Sequence, residues 1–162
     1  ETGEYCLQRG TTTQRRGIDA DLYKFFIERY YKLLKKDGIA GVVLPVGFTL
    51  QLGTAGLRDL ILNKTEIKTL YVFENNRQRF FADLHPQYRF MNLVFKKGGQ
   101  TKKFDNSFRM RETNFLVNDQ VPIRYDVSIL EKTCPSASEI IEFRDQRDFD
   151  LTRKLYSNYP LI

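Results

Sequence analysis

The chain has 162 residues, 41% of them hydrophobic and 28% charged, an ordinary globular composition with enough length for a real core. No run approaches the ~18 apolar residues of a membrane span, and the start ETGEYCLQRG has neither the basic segment nor the apolar stretch of a secretory signal. Twenty-six Lys and Arg against 20 Asp and Glu leave a net charge of +6, which permits an acidic partner such as nucleic acid without demanding one.

The two cysteines, Cys6 and Cys134, lie far apart and form no metal-ligand or redox spacing, so reduced thiols and a cytoplasmic location are expected. In chain order, residues 1–19 carry no apolar periodicity and read as an exposed loop. From Asp21 to Lys36 the pattern DLYKFFIERYYKLLKK puts Leu22, Phe26, Tyr30 and Leu33 or Leu34 on one face of a helix that Asp37-Gly38 ends. Ile39 to Leu44 is a continuous apolar run, the pattern of a strand buried on both faces of a parallel sheet, and Pro45 stops it. A short helix over Gly53 to Lys64 should bury Leu57, Leu60 and Ile61, and a strand follows over Ile67 to Phe73. Arg89 to Lys97 alternates, so it reads as a less buried strand pairing antiparallel with a neighbour.

Gly98-Gly99-Gln100 marks a change of composition, which divides the chain into residues 1–99 and an extension over 100–162. The extension holds an edge strand over Phe104 to Met110, a segment of partial alternation over Val121 to Ile129, and a final helix over Asp148 to Tyr156. Phe149, Leu151 and Leu155 should form the buried side of that helix. Strand, crossover helix and strand in this order indicate an α/β sheet.

Three constellations bear on chemistry. Gly47 and Gly53-Thr54-Ala55-Gly56, with Glu74 at the end of the next strand, imitate a dinucleotide-binding turn, but eight residues separate Leu44 from Gly53 where the fingerprint needs almost none. His85 is the sole histidine and lacks companions for a metal site. The loop RQRFFADLHPQYR brings Arg77, Arg79, Phe80, Phe81, His85, Tyr88 and Arg89 into one segment, where guanidinium groups suit phosphates and rings offer base-stacking surfaces. The plainer reading is that one Phe plugs the core while the arginines are solvated.

The segments DLYKFF, LLKKDGIAGVVLP and LRDLIL, with the hairpin ending in LVFKKG, resemble the second half of a gamma-class adenine-specific DNA methyltransferase of restriction–modification and phage-exclusion systems. The tail, with Pro135-Ser136-Ala137, Ile141-Glu142-Phe143-Arg144 and Lys154-Leu155-Tyr156, resembles the family segment that leads toward a target-recognition domain. The resemblance implies an α/β fold: the C-terminal half of a class I S-adenosylmethionine-dependent (Rossmann-like) sheet ending in an antiparallel hairpin, followed by an α+β extension. It also implies methyl transfer to the exocyclic N6 of an adenine flipped out of double-stranded DNA. Phe81, with Phe80 as the alternative, corresponds to the residue stacking on that base, and Pro45 and Phe48 to the pocket mouth. Arg77, Arg79, His85, Tyr88, Arg89, Arg15 and Arg16 become DNA-contact candidates.

Two departures qualify this. The aromatic-x-Gly-x-Gly turn that holds the methyl donor and the Asn-Pro-Pro-aromatic tetrad that holds the target amine are both absent from the 162 residues. The chain is therefore expected to be a fragment without catalytic residues, inactive alone and binding no cofactor by itself. It should expose apolar surface toward a missing N-terminal half of the catalytic domain and should tend to self-associate. The competing expectation is a non-catalytic module that binds nucleic acid or protein on the same scaffold.

Overall fold

The computed structural model describes residues 21–113 and 122–159. A mixed sheet of five strands forms the centre, in the order β1-β3-β2-β4-β5. The strands are β1 (Ile39–Pro45), β2 (Thr65–Glu74), β3 (Arg89–Lys97), β4 (Lys103–Met110) and β5 (Ile123–Asp126). β3 lies antiparallel between β1 and β2, β2 and β4 are parallel, and β5 returns antiparallel to β4. The helices are α1 (Leu22–Leu33), the single turn α2 (Gly47–Leu50), α3 (Ala55–Lys64), α4 (Ser128–Thr133) and α5 (Gln146–Asn158). No helix among the described residues is long and apolar enough to cross a membrane.

β3 is more central than its alternation suggests. Met91, Leu93 and Phe95 are fully buried beside Leu70, Val72 and Ile67 of β2, and α3 adds Leu57, Leu60 and Ile61 to the same cluster. Positive φ at Gly98 and Gly99 turns the chain out of β3, at no steric cost for glycine. Buried Thr101 then ties that turn to the start of β2, accepting from Ile67 N at 2.9 Å and donating to Thr65 O at 2.7 Å. β4, read from sequence as an edge, is an interior strand because β5 covers its outer side. Phe104, Tyr125, Phe143 and Phe149 close the core at that end, and the Asp145 carboxylate caps α5 by accepting from Asp148 N at 2.9 Å.

Three predicted faces turn out differently. β1 is an edge strand among the described residues, with Ile39 and Val43 exposed, rather than one buried on both faces. On α1 the stripe Leu22, Phe26, Tyr30 and Leu33 is the open face, while Ile27 packs into the core beside Tyr23, Tyr31 and Leu34. On α5 only Phe149 is buried, and Leu151 and Leu155 face outward. Each helix is apolar on more than one side, and periodicity reports that a side is apolar, not which neighbour covers it.

Arg58, on α3, is the largest fully buried side chain. Its guanidinium donates to Phe48 O and Gln51 O, both at 2.8 Å, to the Thr54 hydroxyl, and twice to Ala137 O, from Nε at 3.0 Å and Nη2 at 2.8 Å. Burial pulls its pKa down to about 10, opposed by the charge of Glu139, so it remains protonated at neutral pH. Arg58→Met fills similar space but strips these acceptors of their donor, and it should destabilise the chain by about 2–4 kcal/mol in urea unfolding.

Candidate functional site

The carboxyl ends of β1, β2 and β4 and the amino end of β3 lie along one edge of the sheet. Crevices outside such strand ends are where open α/β sheets take ligands. The loop over residues 75–88 joins β2 to β3 at this edge, and Asn75 N donates to Tyr88 O at 2.9 Å to close its base.

The rings at the foot of the loop form a cluster. Phe73 and Phe90 are cross-strand partners with ring centroids 5.2 Å apart and nearly parallel planes. Phe80 sits edge-on to both, at 5.4 and 5.3 Å, and Phe81 edge-on to Phe90 at 5.0 Å. Phe80 is the more enclosed of the two, whereas Phe81 keeps 40% of its surface open.

A cavity of about 410 Å³ adjoins the end of β1, lined among others by Tyr23, Pro45, Gln51, Tyr88 and Arg89. Burial, and next the neighbouring Asp21 carboxylate, push the Tyr23 hydroxyl up to about 12; it is neutral at working pH and donates to Gln51 Oε1 at 3.3 Å. A second hollow of about 300 Å³, sharing Gln87 and Arg89, lies beside Glu74, Asn76, Pro86 and Arg111.

Of the residues singled out in sequence, Phe81, Phe80, Tyr88 and Arg89 gather at this edge with Pro45, which pairs with Phe90 across β1 and β3. Phe48 does not line the mouth. It is fully buried under the turn after β1, because α2 directs its ring into the core. Arg79 is paired with Glu112, and Arg89 with Glu142 at 2.6 Å. Arg77 is exposed in a left-handed conformation, φ 56°. His85 is exposed, and its Nδ1 accepts from Gln87 N at 3.2 Å, shaping the turn at Pro86. Arg15 and Arg16 lie outside the described residues.

Sequence reasoning missed Asn75, the place of Tyr23 at the cavity, and the pairing of Glu74, Glu112 and Glu142 with arginines. Glu142 bridges Arg89 to Arg109 (3.4 Å), and Glu74 accepts from Arg111 at 2.8 Å. Asn75 could have drawn notice only as an Asn at a strand end, a residue that bonds readily to nearby backbone.

The glycine turn after β1 is occupied from within the protein. A Cβ on Gly47 would meet the Gln51 side chain at 2.7 Å, so a protein side chain fills that space.

Residues 4–81 match the family model described as Eco57I restriction-modification methylase. No curated protein matches the sequence. Among solved structures, the chain is similar to a modification subunit of a type I restriction enzyme from Vibrio vulnificus YJ016, with TM-score 0.56 and 17% identity over 92% of this chain and 36% of that one. It is also similar to the type IIG restriction endonuclease BpuSI, with TM-score 0.53 and 12% identity over 78% of this chain and 16% of the other. The fold is thus that of the restriction–modification methyltransferases, and the chain spans about a third or less of the length of these structures.

The two loop rings should separate in stability measurements. Phe80→Ala, which removes the ring lying against both Phe73 and Phe90, is expected to cost about 2 kcal/mol in chemical denaturation, and Phe81→Ala less than about 1 kcal/mol.

Proposed function

We propose that this chain of restriction–modification methylase type is the base-pocket half of an adenine-N6 DNA methyltransferase that uses S-adenosylmethionine, with Phe81 as the surface on which the flipped adenine stacks. The observation that carries this is an open phenyl ring held edge-on by an aromatic cluster at the edge where β1, β2 and β4 end. An exocyclic amine in a stacked duplex is out of reach, so the enzyme must extrude the base and give its π face a replacement partner. Phe81 offers that face at little entropic cost, because Phe90 already restricts its ring. Phe80, wedged between Phe73 and Phe90, serves as its support.

Pro45 and Tyr88 would border the pocket. Arg77, Arg79, Arg89 and His85 would meet the phosphates around the extruded nucleotide, positioning the duplex without reading its sequence. Residues 100–162 would lead toward a target-recognition domain.

S-adenosylmethionine supplies the methyl group when bound, and the residues that hold it and the target amine would come from another segment of the catalytic domain. The α1 stripe and the edge of β1, both uncovered among the described residues, with a groove of about 440 Å³ lined by Tyr30, Leu33 and Val43 among others, suit that partner segment. Left uncovered, the same surface would favour self-association.

In the complete protein, Phe81→Ala should lower the methylation rate by about 10–100-fold while duplex affinity changes less than about threefold, since phosphate contacts dominate binding. Comparable losses in both would assign Phe81 to packing. The 162-residue chain alone should transfer no detectable methyl from labelled S-adenosylmethionine to adenine-containing duplex; measurable transfer would overturn the split-site reading.

A further inference from the structure

Asn75 is fully buried at the foot of an otherwise exposed loop, and its amide is satisfied on both sides. Nδ2 donates to Phe81 O at 2.8 Å and to Leu84 O at 3.1 Å. Oδ1 accepts from Phe81 N at 2.9 Å and from Phe80 N at 3.2 Å. The backbone N–H of Asn75 holds Tyr88 O, and its carbonyl accepts from Gln78 N at 2.8 Å. One side chain thus grips both backbone polar groups of Phe81. The adjoining Arg77 and Gln78 both take positive φ, near 56° and 55°. Non-glycine residues hold that conformation only where surrounding bonds impose it. The Gln78 amide, donating to Ala82 O at 2.6 Å, is a second such bond.

From this geometry we infer that Asn75 is a positioning residue for target-base capture: it fixes the Phe80–Phe81 backbone so that the open ring of Phe81 is set before DNA arrives. This rests on the reading of Phe81 as the stacking surface. The chemistry requires an amide at this position. Two donors and an acceptor that takes two bonds meet two carbonyls and two N–H groups, and among side chains of this length only asparagine offers that set. Without it, Phe81 would still touch Phe90, but its backbone would sample several orientations, and the ring would meet the extruded base at a misplaced angle. Orientation losses of this kind reduce turnover more than binding.

The test is a double-variant cycle in the complete protein. Asn75→Ala should lower kcat by about tenfold with KM for duplex DNA changed less than about threefold. Amide hydrogen exchange at Phe80 and Phe81 should accelerate while β2 and β3 keep their protection. In the Phe81→Ala background, Asn75→Ala should cost nothing further, because its effect passes through that ring. Losses that multiply in the double variant, or unchanged exchange at Phe80 and Phe81, would overturn the inference. If Phe81→Ala alone leaves methylation intact while Asn75→Ala still accelerates exchange, the base-stacking reading fails and the clamp survives only as loop structure.

Should Asn75→Ala not fold, N75D provides the second arm. A carboxylate there keeps an acceptor for Phe80 N and Phe81 N but turns an oxygen toward the carbonyls of Phe81 and Leu84, where the amide has donors. N75D should therefore lower kcat with KM for duplex DNA changed less than about threefold, and an unchanged kcat would count against the clamp.

Discussion

The guanidinium of Arg58 is the contact on which the site edge depends. A charge taken wholly out of water is tolerated only when every donor finds an acceptor, and here the acceptors come from three separate stretches: the turn after β1, the start of α3, and Ala137 in the extension. The planar fork suits this arrangement, since its nitrogens point at fixed angles to different carbonyls, whereas a lysine would present one point charge. The bond from Ile140 N to Thr49 O, 3.0 Å, fastens the same junction from the tail side. The turn that carries Pro45, Gly47 and Gln51 to the cavity is therefore held from below by α3 and strapped by the extension.

The second constraint is the placement of β3. An antiparallel strand between β1 and β2 brings the β2–β3 loop to the edge where both neighbouring strands end, so the loop and the β1 turn meet without any long connection. The Phe73–Phe90 pair is a consequence of that register, and it gives Phe80 and Phe81 something rigid to rest on. Asn75 completes the arrangement by satisfying backbone groups that an exposed loop would otherwise leave to water.

How much of this could be read in the sequence follows from what periodicity encodes. The helix after Gly53 and the strands at Ile67 and Arg89 were legible because Leu57, Leu60, Ile61 and the β-rich runs point to one buried face each. α1, β1 and α5 misled for one reason: Leu22, Phe26, Val43, Leu151 and Leu155 are apolar but uncovered among the described residues. Arg58 gave no warning, since an arginine in a helix normally faces solvent, and its burial depends on carbonyls of the turn after β1 and of distant Ala137 that meet it only in the fold. Phe48 was misplaced because proximity to Pro45 in sequence says nothing about direction across a tight turn. The loop itself stood out through its charge and rings, but which of two adjacent phenylalanines stays open is settled by the register of Phe73 with Phe90, a nonlocal fact.

The arginines around the loop illustrate the difference between charge and available charge. A net charge of +6 suggests free cations facing an anion, yet Arg79, Arg89, Arg109 and Arg111 all hold carboxylates. Pairing does not disqualify them as phosphate ligands. Exposed ion pairs are worth little in water, so a guanidinium can exchange a carboxylate for a phosphate at small cost. Arg109 and Arg111 are well exposed and suit such exchange. Arg89 is less so, because its partner Glu142 is mostly buried and also serves Arg109; removing the arginine would leave that carboxylate poorly compensated. Arg89 thus joins the loop to the extension first, and any role toward DNA is exercised from within that network.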